Sequence, residues 1–107
     1  MKIKTSDLTG TALDWAVGYI MGEKLRILDR QIVWPEDYSP STDWAQGGPI
    51  IERENIGLWS EGYDWEAKIN SSGQWLAEWD EYPLIAAMRC YVAAKWNDEV
   101  EIPEELK

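Results

Sequence analysis

Leu8, Ala12, Trp15, Ala16, Tyr19 and Ile20 recur at intervals of three and four, which predicts one apolar helix face over about Asp7–Met21. Met1–Thr5 ahead of it reads as a short strand centred on Ile3. Thr5 or Ser6 offers an N-cap, Asp7 adds an acid to the first turn, and Gly22 is the expected stop. Lys24–Leu28 and Gln31–Trp34 read as two short β segments around Asp29-Arg30. Pro35–Pro49 follows no period and holds three of the five prolines. Pro49 suits the first position of a short helix, Pro49–Asn55, with Gly57 at its end. Alternation then predicts three strands, Ile56–Ser60, Asp64–Asn70 and Gln74–Trp79. Glu61-Gly62 and Ser71-Ser72-Gly73 lie between them as turns.

Pro83 opens the clearest helix, with Leu84, Ile85, Met88, Tyr91, Val92 and Trp96 as its stripe and Asn97 as its end. Asp98–Lys107 carries five acids around Pro103 and reads as an extended, partly mobile acidic tail. The fold class is therefore α+β: a small antiparallel sheet with two principal helices. The helices either cover both faces, as an α-β-α sandwich, or share one. Residues 1–97 read as one domain and 98–107 as the tail.

Composition narrows the chemistry. The 107 residues hold 20 Asp and Glu against 10 Lys and Arg, a formal charge of −10, with one Cys and no His. Lacking His, the chain has no Ser-His-Asp or Cys-His machinery and no His-liganded zinc. One Cys makes neither an internal disulfide nor a Cys-rich metal site. Residues 1–30 carry five bases and four acids, and residues 31–107 carry five bases and sixteen acids. The negative field thus arises after residue 30; it disfavours direct nucleic-acid binding and steers toward basic surfaces. No signal-peptide pattern or membrane span appears, so the expected compartment is the cytoplasm.

Three blocks carry a family resemblance. KIKTSDLTGTALDWAV at the start, YSPSTDWAQGGPIIERENI (Tyr38–Ile56) and PLIAAMRCYVAAKWNDEVEIPEEL (Pro83–Leu106) resemble the small NinX-like proteins of tailed phages infecting enterobacteria. The segments between them diverge. The resemblance implies phage origin and accessory, host-facing work in the infected cell, and brings no catalytic residue. The order of elements is also similar to small phage domains described as α-β-α sandwiches.

Site candidates concentrate in the irregular stretch. Ser41, Thr42 and Asp43 offer hydroxyls and a carboxylate, and Gly47-Gly48 permits close approach of backbone amides. Tyr38 and Trp44 offer stacking surfaces, and Arg53 a phosphate partner. Together they suit a nucleotide-like ligand, in a site completed within the chain or across a homodimer. The competing, blander expectation is that one of Ser41, Thr42 and Asp43 caps a helix while Trp44 packs in the core. Among the eight tryptophans, Trp15, Trp65, Trp75, Trp79 and Trp96 fall at core spacings. Trp34 and Trp59, with Trp44, are open cases and hence interaction candidates, as is Arg89, which either pairs with an acid or binds an anion. The acid pairs Glu52/Glu54, Glu78/Asp80 and Asp98/Glu99 read as solvated surface. No metal, cofactor or catalytic residue is expected. The leading functional expectation is a phage accessory protein that binds a host protein through an acidic surface and inhibits or redirects it, with sequestration of a nucleotide-type defence signal as the alternative.

Overall fold

The computed structural model describes residues 1–35 and 37–106; Glu36 in the irregular stretch and Lys107 in the tail lie outside the described residues. Along the chain come β1 (Lys2–Lys4), α1 (Gly10–Met21), β2 (Arg26–Leu28), β3 (Gln31–Trp34), α2 (Trp44–Glu54), β4 (Gly57–Glu61), β5 (Asp64–Ser71), β6 (Gln74–Asp80), α3 (Pro83–Lys95) and β7 (Glu99–Glu101). Single 3-10 turns at Thr5–Asp7 and Glu104–Leu106 complete the order. The class is α+β, with three small antiparallel sheets among the described residues: β1-β7, β2-β3 and the meander β4-β5-β6.

The α1 helix starts three residues later than its periodicity suggests, because Thr5–Asp7 makes its own tight turn and Thr9 takes the cap. It stops as expected at Gly22, which adopts φ +77°, a left-handed conformation that costs glycine little. Asp29 and Arg30, with φ of 51° and 66°, close the β2-β3 hairpin. Two positive values in succession match a type I′ turn, whose twist suits paired strands.

The third helix was only partly legible. It begins at Trp44 rather than at Pro49, which lies inside it. Asp43 is its N-cap, and Asn55, in the left-handed region at φ 58°, ends it in place of Gly57. Among the described residues the fold therefore has three full helices where two principal ones and a short one, Pro49–Asn55, were expected.

The α3 helix is the axis of the core. Leu84, Ala86, Ala87, Met88, Cys90, Tyr91 and Val92 are all buried, so it is covered nearly all round. One side lies on the inner face of the meander against Ala67 and Ile69, and α1 and α2 pack on its other sides. Helix cover reaches the meander from one side only. This is the one-faced arrangement and not the α-β-α sandwich: α1 and α2 bury their apolar faces on α3, which leaves no helix for the outer face.

The C-terminal residues correct a second expectation. Residues 98–106 are not a mobile tail: β7 pairs with β1 in the register Lys2–Glu101, Ile3–Val100, Lys4–Glu99. Val100, Ile102 and Leu106 are buried in the core, between acids that point to solvent. Alternation with acids looks like solvated tail in one dimension and makes a half-buried strand once a partner lies beside it.

Candidate functional site

The irregular stretch is built around a buried acid. Asp14, on α1, accepts a hydrogen bond from the Ser41 backbone N–H at 2.8 Å. Burial pushes the Asp14 carboxyl up to about 6, against the opposing pull of its contacts with Ser41. The Ser41 hydroxyl is itself buried and lacks a well-aligned hydrogen bond. No cation among the described residues pairs with Asp14. An acid with a raised pKa holds its proton more tightly in the folded state than in the unfolded one, where its value is about 3.9. Its contribution is therefore fully present below pH ~4, is lost as pH rises toward ~6, and amounts to about 2–3 kcal/mol. Asp14→Asn keeps the acceptor and removes the charge. Urea denaturation across pH 4–8 should show this variant more stable than the parent above pH ~6, with the difference vanishing near pH 4. A pH-independent difference would contradict the assignment.

The remaining polar groups of the stretch are occupied internally. Asp43 Oδ1 accepts from the Ala45 N–H at 2.9 Å, which is the cap of α2. Gln46 donates from Nε2 to the Asp37 carbonyl at 2.7 Å and to Asp43 Oδ2 at 3.0 Å, and its Oε1 accepts from the Ser39 N–H at 2.8 Å. Tyr38 lays its ring edge on Gly18. Gly47 serves packing, not ligand approach: an added Cβ would lie 2.4 Å from the Pro40 carbonyl oxygen and 2.5 Å from Leu84 Cδ1. Gly48, by contrast, faces open space. Gly47→Ala is expected to lower stability by about 2–3 kcal/mol, since a backbone carbonyl must shift. Gly48→Ala should cost far less. Equal thermal midpoints for the two variants would refute the packing role.

Ser41, Thr42 and Trp44 do line a concavity of about 330 Å³, closed by Tyr82, Pro83, Leu84 and Ile85 at the start of α3. Trp44 is exposed along it and not in the core, and Tyr82 is exposed too. Arg53 does not line it. At the far end of α2, Arg53 donates to Glu54 at 2.9 Å and to the Tyr91 hydroxyl at 3.4 Å. The site thus brings together two aromatic groups and two hydroxyl residues without a cation. Arg89 is likewise committed: it donates to the Leu8 carbonyl at 2.7 Å, the Trp79 carbonyl at 3.0 Å and Asp80 at 3.0 Å, with its side chain only 11% exposed. It is an internal tie rather than an interaction or anion site.

Cys90 donates weakly to the Ala67 and Leu76 carbonyls, and burial pushes its thiol up to about 12, so it stays protonated and inert near neutrality. Among the described residues no group of three or more Asp, Glu or Cys side chains is placed to hold a metal ion.

The larger surface feature lies on the meander. Trp75 and Trp79, expected in the core, are 64% and 51% exposed. The register explains it. Ser71 pairs with Gln74, so Asn70 faces Trp75, Lys68 faces Ala77 and Glu66 faces Trp79. Trp59 on β4 faces Glu66 from the other side. Directly paired residues share a sheet face, so Trp59, Trp75 and Trp79 stand with Glu66, Lys68 and Asn70 on the outer face that no helix covers. Trp59 is fixed by its Nε1–H donation to Glu61 at 2.8 Å, with the Lys68 ammonium 4.9 Å from its ring centroid. Trp34, at the end of β3, is exposed as well. Trp15 and Trp96 are half-buried; with Tyr19 they form a stack, centroids 5.1 and 4.8 Å apart, that joins α1 to the end of α3.

These features define a small α+β protein with an acidic charge balance and an open aromatic sheet face. The chain matches the family described as Bacteriophage P22, NinX, over residues 4–95, and it belongs to that family of phage proteins. The match runs continuously through the two segments in which the resemblance lapsed. No curated protein matches the chain. Among the described residues no helix is long and apolar enough to cross a membrane.

Proposed function

We propose that this phage protein is an accessory factor that binds a host protein in the infected cell's cytoplasm and inhibits or redirects it, with host defence as the setting. In this reading it works by binding and not by turnover. The observation that supports it is the exposure of Trp59, Trp75 and Trp79 together on one sheet face of a chain carrying −10. Large aromatic side chains concentrate at the centres of protein interfaces, and a negative field speeds encounter with a basic partner. Such a protein competes with DNA or RNA for a basic groove. Capture from host lysate at low and at high salt tests the proposal; no specific partner in either condition would defeat it.

The second reading, a binder of a nucleotide-type defence signal, draws on the concavity flanked by Trp44 and Tyr82, whose size falls in the range of small-ligand sites. The lining supplies stacking but no positive charge for a phosphate. Thermal-shift measurements against cyclic and linear nucleotides should give a flat response; a shift lost in Trp44→Ala would reverse the order of the two readings.

A further inference from the structure

Glu66 is the anomaly on the outer sheet face. It lies on the central strand β5, paired on one side with Trp59 and on the other with Trp79. It is only 9% exposed, although this face is open to solvent and the flanking indoles are 38% and 51% exposed. Among the described residues it makes no hydrogen bond and no ion pair; the ion pairs there involve Asp80, Glu54 and Glu101 instead. Its stem is covered by the flanking indoles while its carboxylate oxygens still reach solvent, so the charge stands at the surface between two rings, where a cation from outside can meet it. Glu61 and Asp64 lie on the same face and strengthen the negative charge around it, with Lys68 as its one base. Lys68 already sits over the Trp59 ring, so the indoles of this face accept a cation.

We propose that the surface strip formed by Trp59, Glu66 and Trp79 receives an arginine side chain of a basic protein segment. The inference rests on the protein-binding reading above and names the chemistry of its partner. A guanidinium meets both requirements of the strip: its planar faces stack on indoles and its forked N–H donors match a carboxylate. A lysine ammonium satisfies the charge but not the plane. The acidic charge balance selects against nucleic acid on the same aromatic groups, although stacking alone would tolerate it.

The test is titration of the full chain with a peptide of alternating arginine and glycine, followed by tryptophan fluorescence and calorimetry, with its lysine counterpart run alongside. A single-stranded oligonucleotide and a soluble glucan oligosaccharide are the further ligands, and sedimentation reports on self-association. The arginine peptide should saturate and bind at least five-fold more tightly than the lysine peptide. Glu66→Gln, which keeps shape and should leave the thermal midpoint nearly unchanged, should weaken binding ten-fold or more, and Trp79→Ala similarly. Glu104→Gln, an exposed acid elsewhere, should change it less than two-fold. Equal losses from Glu66→Gln and Glu104→Gln would show diffuse charge attraction and overturn the assignment. So would tighter binding of the oligonucleotide or oligosaccharide, or a dimer that buries these indoles. If the arginine peptide fails while a host partner is still captured and survives Glu66→Gln, the arginine assignment is wrong and the broader function stands. If no host partner is found but the peptide binds with the stated pattern, the arginine assignment stands and the host-protein reading falls.

Discussion

Ending the chain after Asn97 is expected to abolish cooperative folding. The deletion removes the strand that pairs with β1 and takes Val100, Ile102 and Leu106 out of the core. Each is nearly fully buried, and burial of such a side chain is worth about 1.5–3 kcal/mol. It also strips partners from the other end of the chain: the Thr5 N–H donates to the Asp98 carbonyl at 2.8 Å, and the Ile102 N–H to the Met1 carbonyl at 2.8 Å. Domains of this size hold roughly 5–15 kcal/mol in total, so the loss consumes most or all of it. Far-UV circular dichroism and a urea melt report the outcome. The point variant Ile102→Ala isolates the packing contribution and should cost about 2–5 kcal/mol. A truncated protein that still melted cooperatively near the parent midpoint would return these residues to the status of a tail.

The second large effect is expected at Arg89. Its guanidinium ties α3 to two other parts of the chain through three acceptors: the Leu8 carbonyl ahead of α1, and the Trp79 carbonyl and Asp80 at the end of β6. Burial is tolerable because Nε and Nη1 find acceptors, one of them a carboxylate. Arg89→Ala leaves two carbonyls and a half-buried carboxylate without their donor, and should cost about 3–5 kcal/mol. Arg89→Lys should recover only part of that, since a compact ammonium does not span the three acceptors. Asp80→Asn removes the ion pair and one of two acceptor oxygens, which receive Arg89 and the Tyr82 N–H, and should lose about 1–2 kcal/mol. A urea series across the three variants in that order checks the geometry; a loss below 1 kcal/mol for Arg89→Ala would refute it.

Much of the local structure was legible because it depends on neighbours along the chain. The break between two short strands at Asp29-Arg30, the stop at Gly22, the Pro83 start of α3 and the three strands of the meander all follow from residues within a few positions. Asp43 as a cap belonged to the blander expectation for the irregular stretch, and it held; the companion expectation for Trp44 did not. The extent of α2 was obscured by Pro49, which reads as a helix start yet lies inside the helix.

The tryptophans show where legibility ended and where one more step was available. Alternation correctly grouped Trp75 with Trp79 and Trp65 with Ala67 and Ile69, but it assigned both groups to the core. A two-residue turn at Ser72-Gly73 pairs Ser71 with Gln74, which places Trp75 opposite Asn70 and Trp79 opposite Glu66. Register counted through the turn therefore separates the two groups, and the polar partners mark the tryptophan face as the outer one. The same count brings Glu66 between two indoles, a juxtaposition that composition and periodicity do not display.

By itself the sequence determined most of the elements and their class, the lack of His and the single Cys, the acidic balance and the family. These depend on local backbone preference, side-chain inventory and order along the chain. Only the tertiary structure decided that α3 gathers both other helices, that the acidic C-terminal residues close the core, and that Arg53 and Trp44 stand apart. It also decided which side of the meander faces water. The reason is physical: an alternating strand has two faces, and which one is buried depends on what packs against it from elsewhere in the chain.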